Sequence, residues 1–313
     1  MAVNQLSEHF ARFFKVINPS PTWISKASSQ YNTIKGVIEG AGGNAGLLKP
    51  KIFQQGSYGR ETAIHTINDL DLVVLCELWY PPSSTASSDG RPWRSWSRND
   101  IFYAIAEPLL ADGRYAGKVY YGPTSTCIKL DLDIQVEILP VVFKSGNSDP
   151  GIEPFYLYRP ERFTWEEGYA KYHQYFLSEK NKRTGGNFIP MVKVLKHIRS
   201  RFGDNSISFH IECLLHCLPD TVFVGSPADY IAAVIFHLTN YTESSWKGLN
   251  IRTPCGERSL FCESEWRSSE WTPFYELMEK IRPWLVEAVA TQDRSRAIDC
   301  WKTVLGSEAF PAY

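Results

Sequence analysis

The sequence predicts an α/β (α+β) protein of two lobes, the first built on a small mixed sheet and the second helical. Short apolar runs that read as strands occupy the first half, at 52–53, 70–78, 117–122 and 125–143. From about Glu166 onward the apolar residues recur at helical spacing, giving helices over 166–180, 187–202, 206–218, 227–241, 271–290 and 292–304. At 313 residues the chain is long for one core. The expected division is 1–165, the sheet-bearing lobe with its N-terminal helices, and 166–313, a helical lobe closing a cleft.

Taken in order, Leu6, Phe10, Phe13 and Ile17 share one face of a helix over 4–17. Ser20-Pro21 supplies the cap and first-turn residue of a second helix near 21–40. Ala41–Leu48, with three glycines, is a loop feeding the first strand. Pro81–Trp96 reads as a surface insertion, followed by a helix from Asn99 to Ala111 with Pro108 inside it. In 125–143, Ile128, Leu130, Leu132, Ile134, Val136 and Ile138 alternate with Lys129, Asp131, Asp133, Gln135 and Glu137, the pattern of one half-buried strand. Asp149–Pro160 reads as a crossover between lobes.

Bulk properties exclude several classes. The chain is 43% hydrophobic and 21% charged, the balance of an ordinary globular protein. Its longest apolar run, Tyr230–Phe236, is far too short to span a bilayer. Glu8, His9 and Arg12 interrupt the apolar pattern of the first residues, which argues against a secretory signal. Seven scattered cysteines fit reduced thiols, so a cytoplasmic protein without a membrane partner is expected. A net charge of −1 advertises no basic face, and duplex nucleic acid is not expected as a partner.

The chemistry concentrates in IFQQGSYGRETAIHTINDLDLVVLCEL, residues 52–78. Asp69 and Asp71 open a strand and project to the same side, about 6–7 Å apart along it. Two carboxylates so placed repel unless a cation sits between them, and an oxygen-only pocket suits Mg²⁺. Gly56 permits close backbone approach, and the amides after it open a helical turn that favours an anion. The bland alternative for the two aspartates is a solvated turn after Asn68.

Gly-Ser, about a dozen residues, then D-x-D on a strand resembles the signature of the DNA polymerase β-type nucleotidyltransferase superfamily. The longer form, G-S-Y-G-R-E-T-A-I followed by D-L-D-L-V-V, resembles the branch holding the oligoadenylate synthetases, cyclic GMP-AMP synthase and the bacterial CD-NTases. The bacterial members, which need no nucleic-acid groove, fit this charge better. The resemblance implies that Gly56, Ser57 and Arg60 bind nucleotide. It also implies that Asp69 and Asp71 hold two Mg²⁺ (or Mn²⁺) ions and that a third carboxylate completes the catalytic one. Val136-Glu137-Ile138-Leu139-Pro140 matches the family pattern there with Glu in place of Asp, and Asp133 is its rival.

GGNFIPMVKVLKHIR resembles the family helix that carries a phosphate-contacting lysine, with Lys196 at the matching position. Lys193, Lys196, His197 and Ser200 are read as its polar side, and Lys193 is a second candidate for nucleotide binding. Glu212 in ISFHIECLL matches a residue that is usually structural. Residues 246–262 lack the clear Asp-Pro pair of many relatives, which leaves base preference open. His210, Cys213, His216 and Cys217 could hold zinc by spacing, but they read better as core of an apolar helix. Cys255 and Cys262 carry no motif of their own.

The implied activity is a cyclic di- or oligonucleotide synthase that consumes nucleoside triphosphates such as ATP or GTP and releases pyrophosphate. Its product would act on a separate cyclic-nucleotide-activated effector in antiphage defence. The rivals are a nucleotidyltransferase modifying a tRNA end or protein hydroxyl, and a non-catalytic nucleotide-binding regulator.

Overall fold

The computed structural model describes residues 6–77, 96–143, 154–160, 164–204, 207–262 and 265–310. All of the expected insertion at 81–96 except Trp96 lies outside these residues. The elements begin with α1 (Ser7–Ile17), α2 (Pro21–Glu39), α3 (Gly43–Leu47), β1 (Pro50–Gln54), α4 (Gly56–Gly59), β2 (Asp69–Cys76) and α5 (Arg98–Ala111). Strands β3 (Val119–Tyr120), β4 (Ile128–Leu130), β5 (Gln135–Phe143), β6 (Phe155–Arg159) and β7 (Thr164–Gly168) follow. Helices α6 (Ala170–Arg183), α7 (Phe188–Arg201), α8 (Ser208–Cys217), α9 (Pro227–Thr239), α10 (Glu243–Gly248), α11 (Ser268–Ala290) and α12 (Arg294–Leu305) complete the chain.

Two compact units emerge. Ser20–Gly59 and Asn68–Tyr172 form the sheet-bearing unit; the chain before residue 20, Arg60–Ile67 and everything from His173 form the helical one. Thus α1 and the segment 60–67 fall with the helices, where the sequence reading placed them with the sheet.

In the first unit the strand order is β1-β2-β5-β4-β3, with β6 joined to β5 and β7 to β6. Only β2 and β5 run parallel among these pairs, as α5 in the connection between them permits. One face buries Leu70, Leu72, Val74, Val136 and Ile138 against α2 and α5, through Ile34, Ile38, Ile101 and Ile105. The other face buries Val73, Leu75, Val141 and Phe155. Helix α5 opens with a reciprocal cap: Ser97 Oγ accepts from the Asp100 amide, and Asp100 Oδ2 accepts from the Ser97 amide at 2.9 Å.

Three sequence expectations change here. The run 125–143 is a hairpin, with β4 antiparallel to β5 and Leu130 opposite Val136. Asp131-Leu132-Asp133-Ile134 keeps the period-2 alternation through the turn without Gly or Pro, so the break is invisible in the pattern. Part of the expected crossover is β6, paired to β5 from Val141↔Leu157 to Phe143↔Phe155. Glu166 lies in β7, and the helix begins only at Ala170.

In the helical unit Phe10 of α1 meets Trp301 and Phe310 edge-on at 5.0 Å each. Trp266 and Trp271 pack edge to face at 4.9 Å under α11. Helix α7 is buried nearly all round, including Lys196 and His197, because α1, α8, α9 and α12 all touch it. The two-sided reading of that helix is therefore corrected: its charged stripe is partly interior. No helix among the described residues is long and apolar enough to cross a membrane.

Candidate active site

Strand β2 alternates exposed Asp69, buried Leu70, half-buried Asp71 and buried Leu72 before becoming wholly buried. Its aspartates lie on the same face as Val73 and Leu75, at the end where that face runs out of apolar cover. Parallel pairing with β5 puts Asp69 opposite Gln135 and Asp71 opposite Glu137. Neighbouring strands stand about 4.8 Å apart and register partners share a face, so Asp69, Asp71 and Glu137 form one acidic patch. The hairpin separates Glu137 from Asp133. Asp133 sits in the turn, 88% exposed and 3.7 Å from Lys26 on α2, so it has left the strand that holds Glu137.

Gly56 follows β1 after the single residue Gln55 and has φ +65°. A Cβ built there would lie 1.7 Å from Asp71 Oδ2, so glycine is required both by the backbone and by the carboxylate beside it. The adjoining turn is pinned by Tyr58, whose ring meets Trp23 edge-on at 5.3 Å and whose hydroxyl lies 3.1 Å from Ser28 Oγ. Ser57 follows Gly56 in the same turn. Across the hairpin, Lys129 Nζ sits 2.7 Å from Glu137 Oε1, which raises the Lys129 pKa. An all-carboxylate donor set that already accommodates one cation fits a hard divalent ion.

The basic candidates fall in the helical unit. Arg60 Nε donates to Glu212 Oε2 at 2.5 Å, and the guanidinium lies over the Phe209 ring at 5.3 Å. Thr62 Oγ1 donates to Glu212 Oε1 at 2.5 Å. Lys196 is 2% exposed and donates to Glu212 Oε1, Thr62 Oγ1 and Thr62 O at 2.6, 2.8 and 3.1 Å. Burial would push the Glu212 carboxyl up, but the Arg60 and Lys196 cations and their hydrogen bonds reverse this and bring it down to about 2. Between Arg60 and Thr62, Glu61 is held at φ +60°, a strained position for a side-chain-bearing residue. Lys193 differs: it is half-buried and donates to Asn18 Oδ1 at 2.8 Å.

Residues 4–181 match the family model of the Second Messenger Oligonucleotide or Dinucleotide Synthetase domain, more than half the chain. The chain belongs to the CD-NTase family. Residues 176–283 match the C-terminal helical domain of cGAS/DncV-like nucleotidyltransferases. As a CD-NTase it is a nucleotidyltransferase that makes cyclic oligonucleotide second messengers from nucleoside triphosphates, in a family whose catalysis depends on metal.

The cyclic UMP-AMP synthase of Rhodothermus marinus is 26% identical over 249 residues, 74% of this chain and 84% of that protein. Its relative in the solved structures, the R. marinus CdnE c-UMP-AMP synthase with Apcpp and Upnpp, superposes with TM-score 0.68 at 21% identity, covering 88% of this chain and 95% of that one. The CdnC chain of an E. coli CdnC:HORMA-deltaN complex gives TM-score 0.71 at 16% identity over 98% of both chains. At these identities the two structures speak for the fold.

Sequence reasoning missed Thr62, whose partners Lys196 and Glu212 come from distant elements, and Lys129, which meets Glu137 only because the run folds into a hairpin. It also passed over Cys255, which has chemistry around it only once His173 and Glu257 are brought near.

Proposed function

We propose that this CD-NTase joins two or more ribonucleotides, ATP or GTP among its substrates, through attack of a ribose hydroxyl on a donor α-phosphate, releasing pyrophosphate. The observation that carries this is the register of Asp71 with Glu137, with Asp69 two residues before and Gly56 against the Asp71 carboxylate. Asp69, Asp71 and Glu137 would hold two Mg²⁺ (or Mn²⁺) ions. Bound there, the ions would supply stabilisation of the attacking and leaving oxygens.

The remaining tasks belong to the protein. The amides and hydroxyl at Gly56-Ser57 receive the donor's β- and γ-phosphates. A Glu137 carboxylate oxygen accepts the proton of the attacking hydroxyl. Lys193, whose ammonium donates to Asn18 Oδ1, keeps N–H groups for a phosphate. Lys196 is assigned a supporting role, because Glu212 and Thr62 take up its three donors, whereas Arg60 is anchored to Glu212 through Nε and offers its terminal nitrogens to the nucleotide.

The cyclic UMP-AMP synthase of R. marinus and a cyclic dipyrimidine nucleotide synthase of Legionella pneumophila favour a cyclic dinucleotide as product. That product would activate a separate effector in cytoplasmic antiphage defence. Incubation with the four ribonucleoside triphosphates and Mg²⁺, followed by phosphatase and mass spectrometry, tests the reading. A phosphatase-resistant cyclic product is expected, absent in Asp69→Asn/Asp71→Asn. Only linear or macromolecule-linked nucleotide would overturn it.

A further inference from the structure

The chain between α10 and α11 turns tightly through Thr253-Pro254-Cys255-Gly256-Glu257. The Gly256 amide donates to Thr253 O at 2.7 Å, the Thr253 amide donates to Arg258 O at 3.0 Å, and Arg252 and Ser259 form an antiparallel bridge. Gly256, at φ +74°, reverses the chain so that the Glu257 amide addresses the Cys255 sulfur. The Cys255 thiol and the Thr253 hydroxyl both donate to Glu257 Oε2. From α6, His173 Nε2 reaches Glu257 Oε1 at 2.9 Å. The sulfur, a carboxylate oxygen and a ring nitrogen lie within 4.8 Å of one another, and the His173 and Glu257 side chains are 7% and 11% exposed.

Burial opposes charge on Glu257, yet hydrogen bonds from His173, Cys255 and Thr253 bring it down to about 2. The same burial, with the Glu257 charge, pushes the Cys255 thiol up. Arg258 Nε comes no nearer than 3.6 Å to Glu257, while its other nitrogen engages Glu265. An anion, a thiol and an imidazole are thus gathered where a small divalent ion would relieve the conflict between the first two. The donor types matter: nitrogen, sulfur and oxygen together suit zinc, whereas the all-oxygen patch on β2 and β5 suits a hard ion. Amides directed at a sulfur and a Gly after the Cys also favour a thiolate ligand.

We propose that His173 Nε2, Cys255 Sγ and the Glu257 carboxylate bind zinc, clipping the 252–259 turn to α6. Zinc bonds of 2.0–2.3 Å set ligand atoms about 3.5 Å apart, so His173 Nε2 and Cys255 Sγ, now within 4.8 Å of each other, trade their hydrogen bonds to the carboxylate for bonds to the ion with only small side-chain shifts. The Cys255 S–H bond breaks to give its proton to solvent as the sulfur–zinc bond forms, and His173 binds as neutral imidazole. Two anionic ligands balance the ion's charge, which suits a site this buried. Half-exposed Cys255 leaves the fourth position to water.

The test uses the full chain, purified without a histidine tag or chelator. Plasma mass spectrometry should find about one zinc per chain, and Co²⁺ added to chelator-stripped protein should give sulfur-to-cobalt charge transfer with tetrahedral visible bands. Cys255→Ser should abolish the charge-transfer band, whereas Cys217→Ser, at an exposed thiol on α8, should leave it. Wild-type protein with neither zinc nor a cobalt band overturns the proposal, as does a band that survives Cys255→Ser. The wild-type measurements stand even if a variant misfolds.

Discussion

Oδ2 of Asp71 occupies space that any side chain at position 56 would need, since a Cβ on Gly56 would sit 1.7 Å from it. Gly56→Ala must move either the carboxylate or the turn, and adds the cost of a left-handed conformation, about 1 kcal/mol. Displacing a metal-binding carboxylate by about 1 Å costs on the order of 100-fold in rate. Pyrophosphate release by Gly56→Ala should fall at least that far while circular dichroism stays unchanged. Wild-type turnover would mean that Asp71 does not need its observed position.

Glu137→Gln should reduce turnover by about 1000-fold or more, because it removes both a metal ligand and the acceptor of the hydroxyl proton. Asp133→Asn should leave turnover within about twofold, since Asp133 faces Lys26 at the far end of the hairpin turn. Glu137→Asp is the informative third variant. Partial activity is expected from it, the carboxylate being kept but withdrawn by one methylene. If Asp133→Asn is dead and Glu137→Gln active, the third carboxylate has been placed on the wrong side of the turn.

The acidic patch was legible because its members lie close in sequence or on a strand whose alternation marks the face. Gly56, Asp69 and Asp71 fall within sixteen residues, and Glu137 was read from its Val-x-Ile-Leu-Pro surroundings. The hairpin was not legible, since Leu132 and Ile134 continue the apolar period through the turn. Nor were β6 and β7: the Tyr- and Pro-rich stretch has weak period, and β6 owes its strand to pairing with β5 and β7 to pairing with β6. Lys196 was misleading for a related reason. Its flanking lysines and arginines suggest a solvated stripe, and only Glu212, sixteen residues on and folded against it, makes burial of the ammonium tolerable.

The two lysines of α7 should separate by readout. Lys193→Met should raise the KM for nucleoside triphosphate about tenfold with little change in melting temperature, as expected when a phosphate contact is removed. Lys196→Met should lower the melting temperature by several degrees, because it leaves Glu212 buried with Arg60 and Thr62 alone. Kinetics and thermal melts on both variants check this. A large KM effect from Lys196→Met in a protein of unchanged stability would return that lysine to the phosphate.

Glu212 also sets an acid limit. Its folded pKa is about 2, below the ordinary carboxylate range, so its contribution to stability is fully present above about pH 5 and is lost as pH falls toward 2. A shift of this size corresponds to roughly 3 kcal/mol at neutral pH. Urea midpoints measured from pH 7 to pH 2.5 should therefore drop more steeply in wild type than in Glu212→Gln, which starts less stable but lacks this titration. Other carboxylates titrate in both proteins, so the quantity that matters is the gap between the two curves. That gap should narrow as the pH is lowered; parallel curves would show that Glu212 is not the group held ionised by Arg60 and Lys196.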